Sequence, residues 1–121
     1  MAKLKSYRDL VAWQKALLFV NCVYDATDDF PKHELYGLAA QLRRAAVSVP
    51  SNIAEGSVRG KREFVHFLNV ARGSLAETET QLMIANTRGY IMADEMQKLL
   101  TMADELSRIL MGLLNSLKPT N

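Results

Sequence analysis

Near the C-terminus seven apolar residues, Met96, Leu99, Ala103, Leu106, Leu110, Leu113 and Leu117, recur at intervals of 3, 4, 3, 4, 3 and 4. Side chains three and four apart stack on one face of a helix, so the repeat predicts a helix over about 93–117 with a continuous apolar seam. Such a seam cannot lie in water along its whole length. It requires partner helices, and the rest of the chain supplies them. No stretch alternates apolar and polar residues for more than a few positions, so strands are not expected.

Three further stretches carry the helical period. Leu10, Trp13, Leu17, Val20 and Tyr24 mark a helix over about 9–27, with these residues as its core stripe. Ser6 and Asp9 form a capping-box pattern at its start. Leu35, Leu38, Leu42, Ala45, Val49 and Ile53 mark a second helix over about 32–55, which Gly56 is expected to stop. Pro50 lies inside it. A mid-helix proline removes one backbone hydrogen bond and crowds the preceding turn, so a kink near Pro50, or a break, is expected. Phe64, Phe67, Ala71, Leu75, Thr78, Leu82 and Ala85 mark a third helix over about 61–88, with Gly60 as N-cap, Glu63 three residues on and Gly89 as its stop. Four long helices joined by short links predict an all-α fold, an antiparallel up-down four-helix bundle, as one domain over 1–121.

Composition narrows the class. With 49% hydrophobic and 23% charged residues in 121, the chain is not a disordered one. One Cys excludes an internal disulfide. The longest apolar run near the start, Ala16 to Val20, is far too short for a membrane span, and the first residues lack a signal-peptide pattern. A cytoplasmic protein without membrane contact is expected.

In a monomeric bundle each helix should turn a charged face to water. The fourth helix does so, with Asp94, Gln97, Asp104, Arg108 and Asn115 opposite its seam. The others do not. Opposite their stripes, the first carries Val11, Leu18, Phe19 and Cys22 around Lys15, and the second carries Ala40, Val47, Ser51 and Ala54 with Arg43 the only charge. The third carries Val65, Asn69, Gly73, Ala76, Thr80, Met83 and Ile84. Large uncharged faces are rare on monomers, so a homo-oligomer is expected.

Beside the second core stripe runs a polar one: Gln41, Arg44, Ser48, Asn52 and Glu55. The third helix offers Ser74, Glu77 and Gln81 at matching spacing. These predict a hydrogen-bonded network in which Arg44 pairs with Glu55 or Glu77, since a buried charge requires a partner. A structural role is expected for it rather than a ligand site.

Catalytic patterns are weak. Glu63 and His66 make one Glu-x-x-His motif, but di-iron bundles need two copies and two further Glu, and His66 lies away from the core stripe. The segment from Gly56 to Arg62 has the wrong glycine spacing for a phosphate loop, and no Ser or Thr follows its Lys. Cys22, Ser48 and Ser51 have no histidine within sequence reach. No catalytic residue, metal or cofactor is assigned, and a non-enzymatic protein is expected.

Charge is segregated. From residue 32 to 72 there are seven cations (Lys32, Arg43, Arg44, Arg59, Lys61, Arg62, Arg72) against three acids, while the remainder holds eight against ten. Arg59, Lys61 and Arg62 crowd the start of the third helix, where the helix dipole disfavours cations by ~0.3–1 kcal/mol each. Such an arrangement suits phosphate groups, and with Arg43 these residues are the candidate nucleic-acid contacts, to RNA or DNA. The competing expectation is an oligomeric protein-interaction adaptor that binds no nucleic acid.

The motifs also carry a resemblance. Leu10-Val11-Ala12-Trp13-Gln14-Lys15-Ala16, Phe30-Pro31 with Glu34, Gly37-Leu38, the long run from Gln41 to Gly56, Phe67-Leu68 and the run from Ala71 to Glu77 resemble the family of proteins encoded in intervening sequences of bacterial 23S ribosomal RNA genes. The resemblance covers nearly the whole chain. It implies an antiparallel four-helix bundle assembled into a ring, a pentamer. A protein similar in fold, the accessory protein of diversity-generating retroelements, works with a reverse transcriptase and nucleic acid. The resemblance therefore adds a reverse transcriptase or another protein to the possible partners. The motif residues Arg44, Ser48, Asn52, Glu55, Ser74 and Glu77 are all present. Gly60 stands where relatives often carry a Ser cap.

Overall fold

The computed structural model describes residues 6–119. Four helices account for most of them: α1 (Val11–Thr27), α2 (Leu38–Ser57), α3 (Lys61–Thr87) and α4 (Ala93–Ser116), with single 3-10 turns at Tyr7–Asp9 and Lys32–Glu34. No strand occurs among the described residues. Each helix packs on the next, and α4 returns against α1, while the diagonal pairs make no close backbone approach. The result is a four-helix bundle around one core. Across the α2–α3 contact Gln41 meets Gln81 and Ser48 meets Ser74. One number rises by seven as the other falls by seven, so these two helices run antiparallel.

The helix ends follow from local chemistry. The Ser6 hydroxyl accepts from the Arg8 N–H, and the Asp9 carboxylate accepts from the Ser6 N–H. This capping box closes the 3-10 turn, and α1 begins two residues later than the expected start at residue 9. The second helix also begins later than expected, at Leu38 rather than near 32. Pro31 to Glu34 form a separate turn, and the Glu34 carboxylate then accepts from the Leu38 N–H at 3.0 Å, supplying the cap that Gly37 cannot. Gly89 ends α3 as expected. Its φ of +80° is the left-handed turn that favours glycine, and Gly89 N–H bonds Asn86 O while Tyr90 N–H bonds Ala85 O, the Schellman pair.

Three expectations about α1 and α2 are corrected. First, the core stripe of α1 is Ala12, Ala16, Phe19, Val23 and Ala26. Phe19, expected outside, is 1% exposed, whereas Leu17 and Tyr24, expected inside, are 37% and 40% exposed. Leu10, Trp13 and Val20 sit at the core's edge, and Cys22 packs against it. Three alanines let α1 approach its neighbours closely, which turns the larger Leu17 and Tyr24 outward. Leu35, which lies in the turn before α2, is likewise exposed. Second, of the kink or break expected at Pro50, the break does not occur: α2 is continuous through it, with the Pro50 ring buried. Third, Gly56 does not stop α2. It is buried inside the helix, and a Cβ there would lie 2.7 Å from Phe67 Cβ and 3.3 Å from Phe64 Cα. Its role is to let the end of α2 touch the beginning of α3.

Most of the remaining stripes fall where their spacing puts them, except at two ends: Phe64 and Phe67, expected in the α3 stripe, are half-buried while Leu68 is buried, and in α4 Leu114 is buried while Leu113 is half-buried. Leu42, Ala45, Val49 and Ile53 of α2, Ala71, Leu75, Thr78, Leu82 and Ala85 of α3, and Leu99, Ala103, Leu106 and Leu110 of α4 are buried. No described helix is long and apolar enough to cross a membrane.

Candidate nucleic-acid interface

One end of the bundle gathers the tail of α2, the link to α3, the first turns of α3 and the end of α4. Gly60 caps α3 with no side-chain hydrogen bond, so the first N–H groups of that helix are left to solvent, with Glu63 the acid in the first turn. Arg59, Lys61 and Arg62 are all exposed there. The Arg59 guanidinium reaches back to Glu55 at 3.6 Å and lies 5.1 Å from the Phe67 ring centre. Among the described residues neither Lys61 nor Arg62 forms an ion pair, so both remain available to an external anion.

Arg43 does not join them. It stands near the other end of α2, about 24 Å away at ~1.5 Å per residue. Its Nε donates to the Thr27 hydroxyl at 2.8 Å, its Nη2 meets Asp28 at 3.0 Å, and its guanidinium covers the Tyr24 ring at 4.8 Å. Arg43 therefore clamps α2 to the end of α1.

The polar stripe faces the α2–α3 seam, as its spacing predicted, but in two separate groups. In the first, Ser48 and Ser74 hydroxyls bond at 2.8 Å, and the Asn52 amide donates to the Ser48 hydroxyl and carbonyl. In the second, the buried Gln81 amide donates to Glu77 at 3.2 Å and to Gln41 at 3.5 Å. The expected pairing of Arg44 is not formed. Glu55 is taken by Arg59, Glu77 bonds Gln81, and Arg44 is exposed with no ion-pair partner among the described residues. Solvent reaches Arg44, so no burial cost forces it to pair.

The opposite end holds a latch that sequence reasoning missed. The Glu34 carboxylate caps α2 with one oxygen and accepts from the Tyr90 hydroxyl with the other at 2.9 Å. Tyr90 also leans on Phe30, with ring centres 5.6 Å apart. The links before α2 and before α4 are thus tied together. The Leu38 N–H and the Tyr90 hydroxyl, helped by His33 and Arg88, hold the Glu34 carboxyl below the usual carboxylate range. The i, i+4 spacing of Glu34 and Leu38 before a Gly N-cap was the available signal. Nothing local pointed to Tyr90.

Along the outside of α1 and α2 run two adjoining concavities. One, of about 320 Å³, lies among Tyr7, Trp13, Leu17, Val20, Val47, Pro50, Ser51 and Ala54. The other, of about 600 Å³, lies among Tyr24, Leu35, Tyr36, Ala40, Arg43, Arg44 and Val47. Val47 belongs to both. Tyr36 at its rim is 92% exposed. Large side chains of α1 thus form a ridge beside small side chains of α2.

Comparison with known proteins bears on this arrangement. The family model of the 23S rRNA-intervening sequence proteins matches residues 8–112. The chain belongs to that family. The matched span contains α1, α2, α3, the loop cations and both groups of the polar seam. A crystal structure of a protein of unknown function from the S23 ribosomal protein family of Bacteroides thetaiotaomicron is similar, with a TM-score of 0.80 at 20% identity, covering 87% of this chain and 96% of that one. At that identity the likeness speaks for the fold. No curated protein matches the sequence.

Proposed function

We propose that this 23S rRNA-intervening sequence protein is a non-enzymatic, ring-forming helical scaffold of the cytoplasm that binds RNA or another nucleic acid through its basic end. The observation that carries the reading is the cluster of Arg59, Lys61 and Arg62 at the N-terminus of α3, where Glu63 is the one acid in the first turn and two of the three cations are unpaired among the described residues. Backbone donors, a dipole and mobile cations at one place favour phosphate oxygens. The apolar concavities along α1 and α2 support self-association, since a soluble surface rarely leaves such a groove to water. In a ring of parallel bundles, of which a pentamer is the expected form, every basic end lies on one rim. The non-enzymatic reading is supported by the hydroxyls of Ser48 and Ser74, which bond each other and Asn52 rather than a base.

Light scattering with nucleic-acid absorbance read on the same peak tests both halves. A multiple of the chain mass is expected, with salt-dependent RNA binding. Replacing Arg59, Lys61 and Arg62 with Glu should remove most of that binding and flatten its salt slope by at least about 0.7 per lost phosphate contact. A ring whose RNA affinity is untouched by the triple change is an adaptor for other proteins, a reverse transcriptase among the candidates, and not a nucleic-acid binder.

A further inference from the structure

The basic end continues round the bundle onto a second surface. Between the first third of α3 and the end of α4 lies a concavity of about 310 Å³. Its apolar wall comes from Val65, Met111, Leu114 and Leu117, and its rim carries Arg72 and Lys118. No carboxylate lines it, and neither rim cation forms an ion pair among the described residues. Arg72 makes one hydrogen bond, at 3.3 Å to the Asn69 side-chain amide oxygen Oδ1, which leaves most of its donors unused. Arg62 stands one helical turn before Val65, so cations flank the concavity towards the loop as well.

Resting on the nucleic-acid reading above, we propose that this concavity seats an unpaired base of a single strand, with the flanking phosphates on Arg72 and Lys118. Three features select this occupant. The volume suits one planar base and not a duplex groove. The wall is aliphatic with a thioether, and sulfur packs favourably against the edge of an aromatic ring. Both cations are exposed while Leu114 of the wall is buried, the order of groups along a strand whose phosphates point out and whose base turns in. A rigid duplex offers phosphates to the loop cations but no base to the wall, so the concavity makes the protein prefer single strands.

The test compares a short oligouridine strand with an RNA duplex of equal length on the assembled protein. The wild type should bind the single strand about two- to tenfold more tightly, the range of one sulfur–aromatic contact. Met111→Ala, at a partly exposed position, should remove that preference while leaving duplex affinity unchanged. Arg72→Ala with Lys118→Ala should lower the single-strand salt slope by about 0.7 per lost contact. Equal affinity for the two RNAs, or a preference that survives Met111→Ala, overturns the seat and leaves the loop reading standing. Loss of all RNA binding only in the loop variant, with the concavity variants unaffected, does the same. A wild type that binds neither RNA overturns both. Binding to phosphatidylglycerol vesicles that Met111→Ala abolishes assigns the concavity to an anionic lipid and also overturns it.

Discussion

At the scale of the residue, Gly56 is the tightest constraint in the fold. Its missing side chain lets two helices meet where a Cβ would lie 2.7 Å from Phe67 Cβ and 3.3 Å from the Phe64 backbone. Neither neighbour is the far end of a flexible chain, so the contact cannot give way cheaply. Gly56→Ala should destabilise the protein by about 1–3 kcal/mol, the usual cost of overpacking, read as a lower urea midpoint. Gly112 is the matched control, because nothing lies within 4 Å of its added Cβ. Gly112→Ala should gain about 0.5–1 kcal/mol from helix propensity alone. Phe19 tests the frame of α1 in the same way. It is fully inside, so Phe19→Ala should cost about 3–5 kcal/mol, whereas Leu18→Ala on the exposed side should change the stability of the fold by no more than ~0.5 kcal/mol.

Elements carry the next level of information, and here the latch at Glu34 matters most. Its carboxyl is held below the usual range because two donors favour the charged form. The unfolded chain therefore takes up a proton before the folded one as pH falls. The stability that Glu34 contributes is complete above its unfolded value and is lost as pH drops through its folded value. Glu34→Gln should lower the unfolding midpoint at neutral pH, and the gap to wild type should close on acidification. Glu79 runs the other way: burial first, and Asp104 second, push its carboxyl up, so its charged form costs stability that grows as pH rises. Only the Leu38 contact of Glu34 could be read from spacing; the Tyr90 contact, and the surroundings of Glu79, depend on a loop or helix brought in from elsewhere. Element number and type were legible, as were the seam of α4, the Gly89 stop and the polar stripe. The frame of α1 was not. Two apolar stripes compete on that helix, and the larger residues mark the one that does not face the bundle core. Ala12, Ala16 and Ala26 make weak signals individually, yet close helix approach depends on their small size. The pairing of Arg43 was hidden for a related reason, since Thr27 and Asp28 lie sixteen and fifteen residues away and only the bundle brings them together.

The two ends of the molecule differ in charge. Arg59, Lys61 and Arg62 crowd one, whereas at the other Asp25, Asp28, Asp29, Asp94 and Glu95 are interspersed with Lys32, Arg43 and Arg88. Bundles associated side by side in parallel would repeat the first cluster as a basic rim. In such an assembly the outer stripe of α1 would be the contact: Leu17, Val20 and Tyr24 line, with Val47 and Ala40, the groove along which a neighbouring bundle would lie. Val47 is the point where both concavities meet, and at 37% exposure it can be changed without opening the core. Val47→Glu places a carboxylate in that groove, where even paired with Arg44 it would have to be desolvated for a neighbouring bundle to seat, so the scattering mass should fall to one chain while helicity by circular dichroism stays that of the wild type. The same variant separates rim binding from single-site binding. Val47 lies about 18 Å along the axis from Arg59, counting ~1.5 Å per residue, too far to touch the RNA held there. A long RNA that spans several protomers should nevertheless lose about 10²-fold or more in affinity, because linked contacts become independent ones. A strand short enough for one protomer should bind both forms alike. Equal loss for short and long RNA would instead mean that the groove itself holds the nucleic acid, and that the basic rim is not where its length is measured.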